Sequence, residues 1–340
     1  MLLSRVAESV YWAGRYLERA ESTARLIKVH TELFLDLPKS VDVGWVPLLA
    51  VTGSGGVFQE RFGADPSQAT EEEVVRFLAS DPTSPASVLS SLSSARENFR
   101  TTRAVIPTSS WTELNGLFLW VSEMRSLATD RRTRLAWMEH VIRSCHVLRG
   151  VLESTMSHDA AYAFLQIGRS LECADMTTRV LDVQASVLVK AHDSYTSVND
   201  SSVSEQSTYS DITWMSVLKS LSAHQMYRRT VRKGVSGPDA LHFLLCDTHF
   251  PRSVDHSLVR ISRALIELPR FDASMARCAE VQELIVSAEV AEMTASDLHE
   301  YVDQLQLGIA RIHDSVTDSY FVRVPTNARS NEQVMLTSAS

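Results

Sequence analysis

A twelve-residue stretch occurs twice in this chain of 340 residues, and it constrains the fold more than any other feature. Residues 14–25 read GRYLERAESTAR and residues 168–179 read GRSLECADMTTR. The offset of 154 residues is close to half the chain, and seven of the twelve positions are identical. Because each copy must bury a similar apolar seam, we predict adjacent helices in two related halves, about 1–157 and 158–322, around a pseudo-two-fold axis.

Each copy, placed on a helix, carries an apolar seam and a polar seam, because residues three or four apart share a face. The apolar seams are Val10, Ala13, Leu17, Ala20, Ala24 and Ile27, then Phe164, Ile167, Leu171, Ala174, Thr178 and Leu181. The polar seams are Gly14, Glu18, Glu21 and Arg25, then Gly168, Glu172, Asp175 and Arg179. A glycine inside a helix costs about 1 kcal/mol relative to alanine, so it has a packing or access reason. We expect it to leave room for a ligand.

Two interpretations of the polar seams stay open. They line a cleft that binds a ligand, or they form an internal ion-pair network that fixes the register of the helices. The candidate catalytic residues, which are also weak candidates for Mg²⁺, are Glu18, Glu21, Glu172 and Asp175. The candidate substrate-binding arginines beside them are Arg15, Arg25, Arg169 and Arg179. Because these arginines would neutralise the acids, the pattern favours a ligand with both charge signs, whose carboxylate an arginine binds in bidentate fashion.

Two other segments carry candidate binding residues. Glu97, Asn98, Arg100 and Arg103 lie close together on one predicted helix. The alternative, which the spacing alone favours, is a solvated helix with weak i,i+3 ion pairs. Arg252 stands next to Ser253, which can cap the following helix, and a helix N-terminus beside an arginine binds anions. The alternative is a capped turn with a surface arginine.

Composition excludes several classes of protein. A net charge of −8 disfavours nucleic-acid binding, which depends on excess Lys and Arg. The four cysteines are isolated, so we expect neither a zinc site nor disulfides, in keeping with a cytoplasmic protein. No glutamate precedes a histidine by three residues, which argues against a di-iron bundle. No 18-residue apolar run or signal peptide occurs, so no membrane segment is expected. Mg²⁺ is the one cofactor that the four acids of the polar seams suggest. A homo-oligomer is also compatible with the sequence.

Helical periodicity dominates, which predicts an all-α, multi-helix bundle without a significant sheet. The predicted helices are 3–35, 71–79, 85–105, 111–128, 132–156, 159–190, 212–233, 239–246, 254–267, 277–292 and 295–321. Irregular structure is expected at 38–68 and 191–210, and a flexible tail at 323–340. The predicted helix starts are Thr70 with Glu73, Ser110 with Glu113, Ser84 before Pro85, Gly237 with Pro238, and Ser253.

Four segments together resemble the bacterial alpha-E domain proteins. They are LSRVAESVYWAGRYLERAESTARLI (3–27), ARENFRTTR with WTELN (95–103 and 111–115), GRSLECADMTTRVLD (168–182) and FLLCDTHFPRSV (243–254). The resemblance covers about residues 1–322, which would make this span a single alpha-E helical domain. The second copy of the repeat has Cys173 where the first has Arg19.

The resemblance implies an all-helical cytoplasmic protein encoded beside, or fused to, a circularly permuted ATP-grasp ligase. We therefore expect a helical partner or co-catalytic component of an amide or peptide ligase system, with an amino-acid or peptide substrate in the acid–arginine cleft. One alternative is a stand-alone enzyme that uses paired carboxylates, with or without Mg²⁺, on the same substrates. The other is a non-catalytic scaffold whose charged seams are structural.

Overall fold

The computed structural model describes residues 2–36, 44–63, 68–195, 203–290 and 293–321. These residues form fifteen helices and no strand, which confirms the all-α prediction for the described part of the chain. The helices are α1 (Ser4–Asp36), α2 (Val46–Val51), α3 (Gly55–Phe62), α4 (Glu71–Ala79), α5 (Val88–Thr101), α6 (Thr108–Glu123), α7 (Ser126–Thr129), α8 (Arg134–Thr155), α9 (Ala160–Tyr195), α10 (Val203–Ser220), α11 (His224–Val231), α12 (Gly237–Cys246), α13 (Val254–Ile266), α14 (Asp272–Ser287) and α15 (Ala295–Tyr320).

The two long helices α1 and α9 pack directly against each other at the centre of the bundle. Helices α5 and α8 pack on α1, and α13 and α15 pack on α9. Both apolar seams of the repeat face one continuous hydrophobic core, in which Val10, Ile27, Leu171 and Leu181 are fully buried. The predicted adjacency of the two repeat-bearing helices is therefore confirmed.

Two segments predicted to be irregular contain helices. Within 38–68, α2 begins next to Pro47, whose missing N–H costs nothing in a first turn, and α3 begins at Gly55. Within 191–210, α9 continues to Tyr195 and α10 begins at Val203. The physical reason is that an established helix extends at low cost, one hydrogen bond for each added residue. The predicted tail, 323–340, lies outside the described residues.

Three of the five predicted helix starts are confirmed. Thr70 and Glu73 form a capping box, Ser236 caps the helix that opens with Gly237 and Pro238, and Ser253 accepts a hydrogen bond from the His256 N–H. The other two were wrong. Ser87 rather than Ser84 caps α5, and α6 begins directly after Pro107, which leaves Ser110 buried inside its first turn.

None of the described helices contains an apolar stretch that could span a lipid bilayer.

The predicted helix 212–233 is divided at Ser222, which has a positive φ of 53° between α10 and α11.

Candidate functional site

The repeated glycines lie where α1 and α9 cross. A Cβ at Gly14 would lie 2.4 Å from the Leu165 carbonyl oxygen, and one at Gly168 would lie 2.1 Å from the Tyr11 carbonyl oxygen. Real Cβ atoms do not approach that closely, so only glycine permits this backbone contact. The expectation that the glycines leave room for a ligand was therefore wrong, because the backbone of the facing helix fills that space.

Contacts at this crossing are reciprocal. Leu165 precedes Gly168 by three residues, as Tyr11 precedes Gly14. Arg15 Nε donates to Glu172 at 2.7 Å, and the equivalent pair in the other direction, Arg169 Nε and Glu18, lies at 3.5 Å. Each of these pairs maps onto the other through the 154-residue offset. A pseudo-two-fold axis that relates complete halves stays a prediction.

Glu18 and Glu21 form the larger half of a buried charge cluster. Both are almost fully buried, and the Arg252 guanidinium binds one oxygen of each at 2.6 Å. Arg149 on α8 also binds both, and Arg25 binds Glu21 from the next turn of α1. His146 Nε2 lies 3.0 Å from Glu21. These carboxylates are thus already occupied by internal partners.

Glu172 and Asp175 form the smaller half. Glu172 is buried between Arg15 and Arg19, whose Nε atoms lie 2.7 and 2.6 Å from its two oxygens. Asp175 pairs with Arg179 at 3.0 Å and keeps 15 % of its side chain exposed. The two halves together are called the charge cluster. Its members are Glu18, Glu21, Glu172 and Asp175, with Arg15, Arg19, Arg25, Arg149, Arg169, Arg179 and Arg252.

Arginines decide the ionisation of the buried acids. Burial raises the pKa of Glu18 and Glu21, but Arg252 and the other arginines outweigh it and hold the pKa of each below its ordinary value. Burial likewise raises the pKa of Glu172, yet Arg15 and Arg19 bring it down to about 2. All three are carboxylates at neutral pH. They are not free to act as a general base while the arginines stay in place.

The cluster holds more positive than negative charge, since seven arginines surround four carboxylates. Burial, Arg149 and Arg260 lower the pKa of Arg169 to about 10, although Glu18 opposes the shift. The Nη1 atom of Arg25 is buried and has no hydrogen-bond partner among the described residues. The arrangement therefore favours an additional anion over an additional cation.

Open space lies on the arginine side of the cluster. Two cavities that touch Glu18 measure about 30 Å³ each, enough for water but not for an amino acid. Arg149 and Arg169 also line a groove of about 850 Å³ together with Arg260 and Arg263, which we call the basic groove. These two arginines therefore have one side on buried carboxylates and the other on open space.

Two corresponding loops, one before α5 and one before α13, support the crossing, and their correspondence was missed in the sequence. Thr23 donates to the Ala86 carbonyl and Thr177 to the Arg252 carbonyl. In each loop the capping serine, Ser87 or Ser253, donates back to an aspartate carbonyl six residues earlier. Residues 81–88 read DPTSPASV and 247–254 read DTHFPRSV, with four identities. Their offset of 166 residues differs from that of the helical repeat, so one fixed offset does not find both.

This loop correspondence places Arg252 where the other loop has Ala86. The guanidinium of Arg252 is buried, so the anions it binds are Glu18 and Glu21 of the same chain. Ser253 has a capping role and donates to the Asp247 carbonyl.

The residues predicted on α5 lie apart from this network. Glu97 and Arg100 form an exposed i,i+3 ion pair, and the Asn98 carbonyl accepts hydrogen bonds from Thr101 and Thr102. Arg103 lies over the Trp111 ring. Their contacts thus stay within α5, α6 and the turn between them.

One group of side chains in the described part of the chain could hold a metal ion. Asp182, His299 and Asp303 have ligand atoms within 4.8 Å of one another. The sequence signal is a histidine four residues before a carboxylate on α15, which a search for Glu-x-x-His does not find. The four acids proposed for Mg²⁺ are instead paired with arginines.

The fold and the cluster define an all-helical domain with buried Glu–Arg pairs at a central crossing of two helices. The chain belongs to the Alpha-E family, whose model, described as a predicted alpha-helical domain with a conserved ER motif, matches residues 2–321. The chain contains this dipeptide at Glu18–Arg19 and again at Glu60–Arg61. Glu18 and Arg19 both lie in the charge cluster but have different partners. Glu18 binds Arg252, and Arg19 binds Glu172.

Among curated proteins, the chain is similar to uncharacterized mycobacterial proteins. It is 25% identical over 338 residues to one from Mycobacterium bovis and 24% identical to one from Mycobacterium tuberculosis. Each alignment covers 92% of this chain but 36% of the relative, so the chain spans about a third of the length of these proteins. No solved structure matches.

Proposed function

We propose that this domain is the substrate-holding partner of an ATP-grasp-type amide or peptide ligase, with a non-catalytic or co-catalytic role. It binds an amino acid or peptide through the ligand's carboxylate. The resemblance to alpha-E proteins encoded with such ligases supports the partnership. The length of the mycobacterial relatives also supports it, because a domain that is about a third of a longer chain acts beside other domains.

The observation that carries the proposal is the double contact of Arg149 and Arg169. Each is held by buried carboxylates of α1 and also lines the basic groove. A guanidinium that is already fixed loses little conformational entropy when it binds a ligand, and it binds carboxylates in bidentate fashion. Arg260 and Arg263 add positive charge along α13, so four arginines outnumber the three acids that also line the groove, Glu153, Asp159 and Glu267. The groove therefore fits an anionic amino acid or peptide.

A binding assay tests the groove. We expect diglutamate to bind the full chain and Arg263→Gln to weaken that binding about tenfold, because one charge-assisted contact is worth at least that factor. Arg277→Gln is the control, since Arg277 is an exposed arginine on α14 paired with Glu280. Equal affinity of all three proteins for diglutamate and for diglutamine would overturn the proposal for this groove.

The partnership needs its own experiment. Co-expression with an ATP-grasp ligase, followed by affinity purification and mass spectrometry of small products, should give a stable complex and an amide-linked product. The Arg263→Gln variant should retain the complex and lose product. A ligase that makes the same product at the same rate without this chain would contradict the role.

A second candidate function has direct geometric support. Glu18, Glu21 and Glu172 are buried and paired, as in a network that fixes helix register in a scaffold.

The stand-alone enzyme alternative would depend on Asp175, because it alone of the four acids is partly exposed and lines a large cavity. Loss of activity in Asp175→Asn, with unchanged stability and unchanged ligand binding, would favour the enzyme.

A further inference from the structure

A second cavity, of about 470 Å³, opens between α9 and α15 beside the charge cluster. Its polar lining consists of Arg15, Asp175, Arg179, Asp303, Gln306 and His313. The two helices run antiparallel, since Phe164 packs on Tyr320 at one end and Asp182 pairs with His299 at the other. The cavity therefore has two ends, one at His313 and one at Asp303.

The His313 end is rich in hydrogen-bond donors and in positive charge. Arg15 and Arg19 share a single carboxylate, Glu172, which leaves one excess cation among the buried groups, and the exposed Asp314 lies beside His313. Burial raises the pKa of Tyr11 to about 12, so its hydroxyl keeps the proton and lies 2.7 Å from His313 Nδ1. Because Arg15 is a donor beside that hydroxyl, the Tyr11 proton goes to Nδ1, and the proton of neutral His313 is on Nε2.

Neutral His313 agrees with its surroundings, since burial and then Arg15 lower its pKa. Its Nε2–H is thus a donor for a ligand in the cavity that it lines. Farther along α15, Gln306 also lines the cavity, and its side-chain amide carries both a donor and an acceptor group. This end and the middle of the cavity therefore suit a carboxylate and the carbonyl groups that follow it.

Negative charge dominates the opposite end. Asp175, Asp182 and Asp303 lie there with two basic side chains, Arg179 and His299. Asp175 is matched by Arg179, while His299 lies between Asp182 and Asp303. Even with His299 protonated, one carboxylate remains in excess, and Asp303 is about half exposed. This end suits an ammonium group.

The separation of the two ends indicates the size of the occupant. Asp303 and His313 are ten residues apart on one helix, about 15 Å at 1.5 Å per residue. An extended peptide spans about 3.3–3.6 Å per residue, so roughly four residues bridge the two ends. A single amino acid would reach only one of them.

We propose that this cavity binds short extended peptides of about three to four residues by both charged ends, with the carboxylate at Arg15 and His313 and the ammonium at Asp303. The site is separate from the basic groove and does not depend on the function proposed for that groove. A ligand class with both charge signs follows from the opposite charge of the two ends. The apolar residues of the lining determine which side chains of the peptide are preferred.

Calorimetric titration of the full chain with tetra-alanine tests the proposal, with EDTA present so that metal binding near Asp303 does not contribute. We expect binding that weakens about tenfold when the peptide is either N-acetylated or C-terminally amidated, because each cap removes one charged contact. Alanine and dialanine should bind more weakly than tetra-alanine. Equal affinity of the capped peptides, or of alanine itself, would overturn the proposal.

Two matched variants localise the ligand. Asp303→Asn should reduce tetra-alanine binding about tenfold but leave N-acetyl-tetra-alanine unaffected, since that peptide has no ammonium group. Glu300→Gln removes one charge from an exposed position on the same helix and should change neither affinity. Because the basic groove can also bind a peptide carboxylate, the same comparison is made in the Arg263→Gln background, where Asp303→Asn should again cause a loss of about tenfold. If Arg263→Gln abolishes tetra-alanine binding and Asp303→Asn does not, the peptide lies in the basic groove, and this proposal fails while the groove proposal stands.

Discussion

Glu18 receives arginines from three parts of the chain. Arg149 comes from α8, Arg169 from α9 and Arg252 from the turn before α13. A single carboxylate thus connects elements that are far apart in sequence. Replacing a whole buried ion-pair network by apolar residues often changes the stability of a protein little. Removing the carboxylate alone is costly, because it leaves several buried charges unpaired.

At the residue scale, Glu18→Gln and Glu172→Gln should each destabilise the protein by about 3–5 kcal/mol, because each leaves buried guanidiniums unpaired. Urea denaturation followed by circular dichroism measures the effect. Glu97→Gln is the control, since Glu97 and its partner Arg100 are both exposed, and we expect no measurable change in stability. An activity assay of the reconstituted ligase belongs beside it. Lost activity with unchanged stability would place Glu18 in a ligand site instead.

Acid should weaken the crossing of α1 and α9. The pKa of Glu172 is lowered to about 2 in the folded chain, where Arg15 and Arg19 outweigh the effect of burial, whereas an unfolded glutamate titrates near 4.5. A depressed folded pKa stabilises the protein above the unfolded pKa, and this contribution is lost as the pH falls from about 4.5 to about 2.

The measurement compares wild-type protein with Glu172→Gln. The difference between their free energies of unfolding should be constant from pH 7 to pH 6 and shrink below about pH 5, because glutamine cannot be protonated. A difference that stays the same down to pH 3 would show that Glu172 is not stabilised by its arginines.

At the scale of the elements, the distance between α1 and α9 is set by two glycines. Their Cα atoms face carbonyl groups of the opposite helix, so the two backbones touch. This contact brings Arg15 within reach of Glu172 and Arg169 within reach of Glu18. The glycines and the charged residues of the repeat therefore act together, with the close crossing as the condition for the ion pairs.

Gly14→Ala or Gly168→Ala should therefore destabilise the protein by about 1–3 kcal/mol, the usual effect of forcing a methyl group into a packed contact. Gly150→Ala provides the control within α8, where an added Cβ meets nothing within 4 Å. That change should stabilise the protein by up to about 1 kcal/mol through helix propensity. Urea denaturation of the three variants decides it, and equal effects would contradict the backbone contact.

At the scale of the whole molecule, one hydrophobic core extends through both groups of helices around the central pair. Of the four free cysteines, Cys145 and Cys278 are buried in this core, Cys173 is buried beside Glu18 and Arg252, and Cys246 is half-buried. Burial raises the pKa of every one of these thiols, that of Cys246 to about 11 and that of Cys278 to about 12. Because only a thiolate reacts readily, access and ionisation both protect the folded protein.

We therefore expect Ellman's reagent at pH 8 to label Cys246 first and slowly, and the other three thiols only at the rate of unfolding. Mass spectrometry of partly labelled protein identifies the order. In Cys246→Ala, labelling should follow the unfolding rate alone. Fast labelling of Cys145 or Cys173 in native protein would mean that the charge cluster opens without global unfolding.

The amino-acid sequence by itself determined the helices, the buried seams and the pairing of α1 with α9. These depend on local periodicity and on a repeat that can be read along the chain, as the buried Val10 and Leu171 show. It did not determine the helices within 38–68, which form despite several glycines and prolines, or those within 191–210, which form despite a polar composition.

Only the tertiary structure decided how the charges are used. Arg149 lies 131 residues from Glu18 in sequence and Arg252 lies 234 residues away, so no local pattern links them. The sequence showed that four acids and several arginines recur, but the same residues could line an open cleft or a buried network. The acids are buried because α1 and α9 cross closely at the glycines. Arginines from α8 and from the loop before α13 then pair with them. Open space was left beside Arg149 and Arg169 and, on the other face, between Arg15 and Asp303.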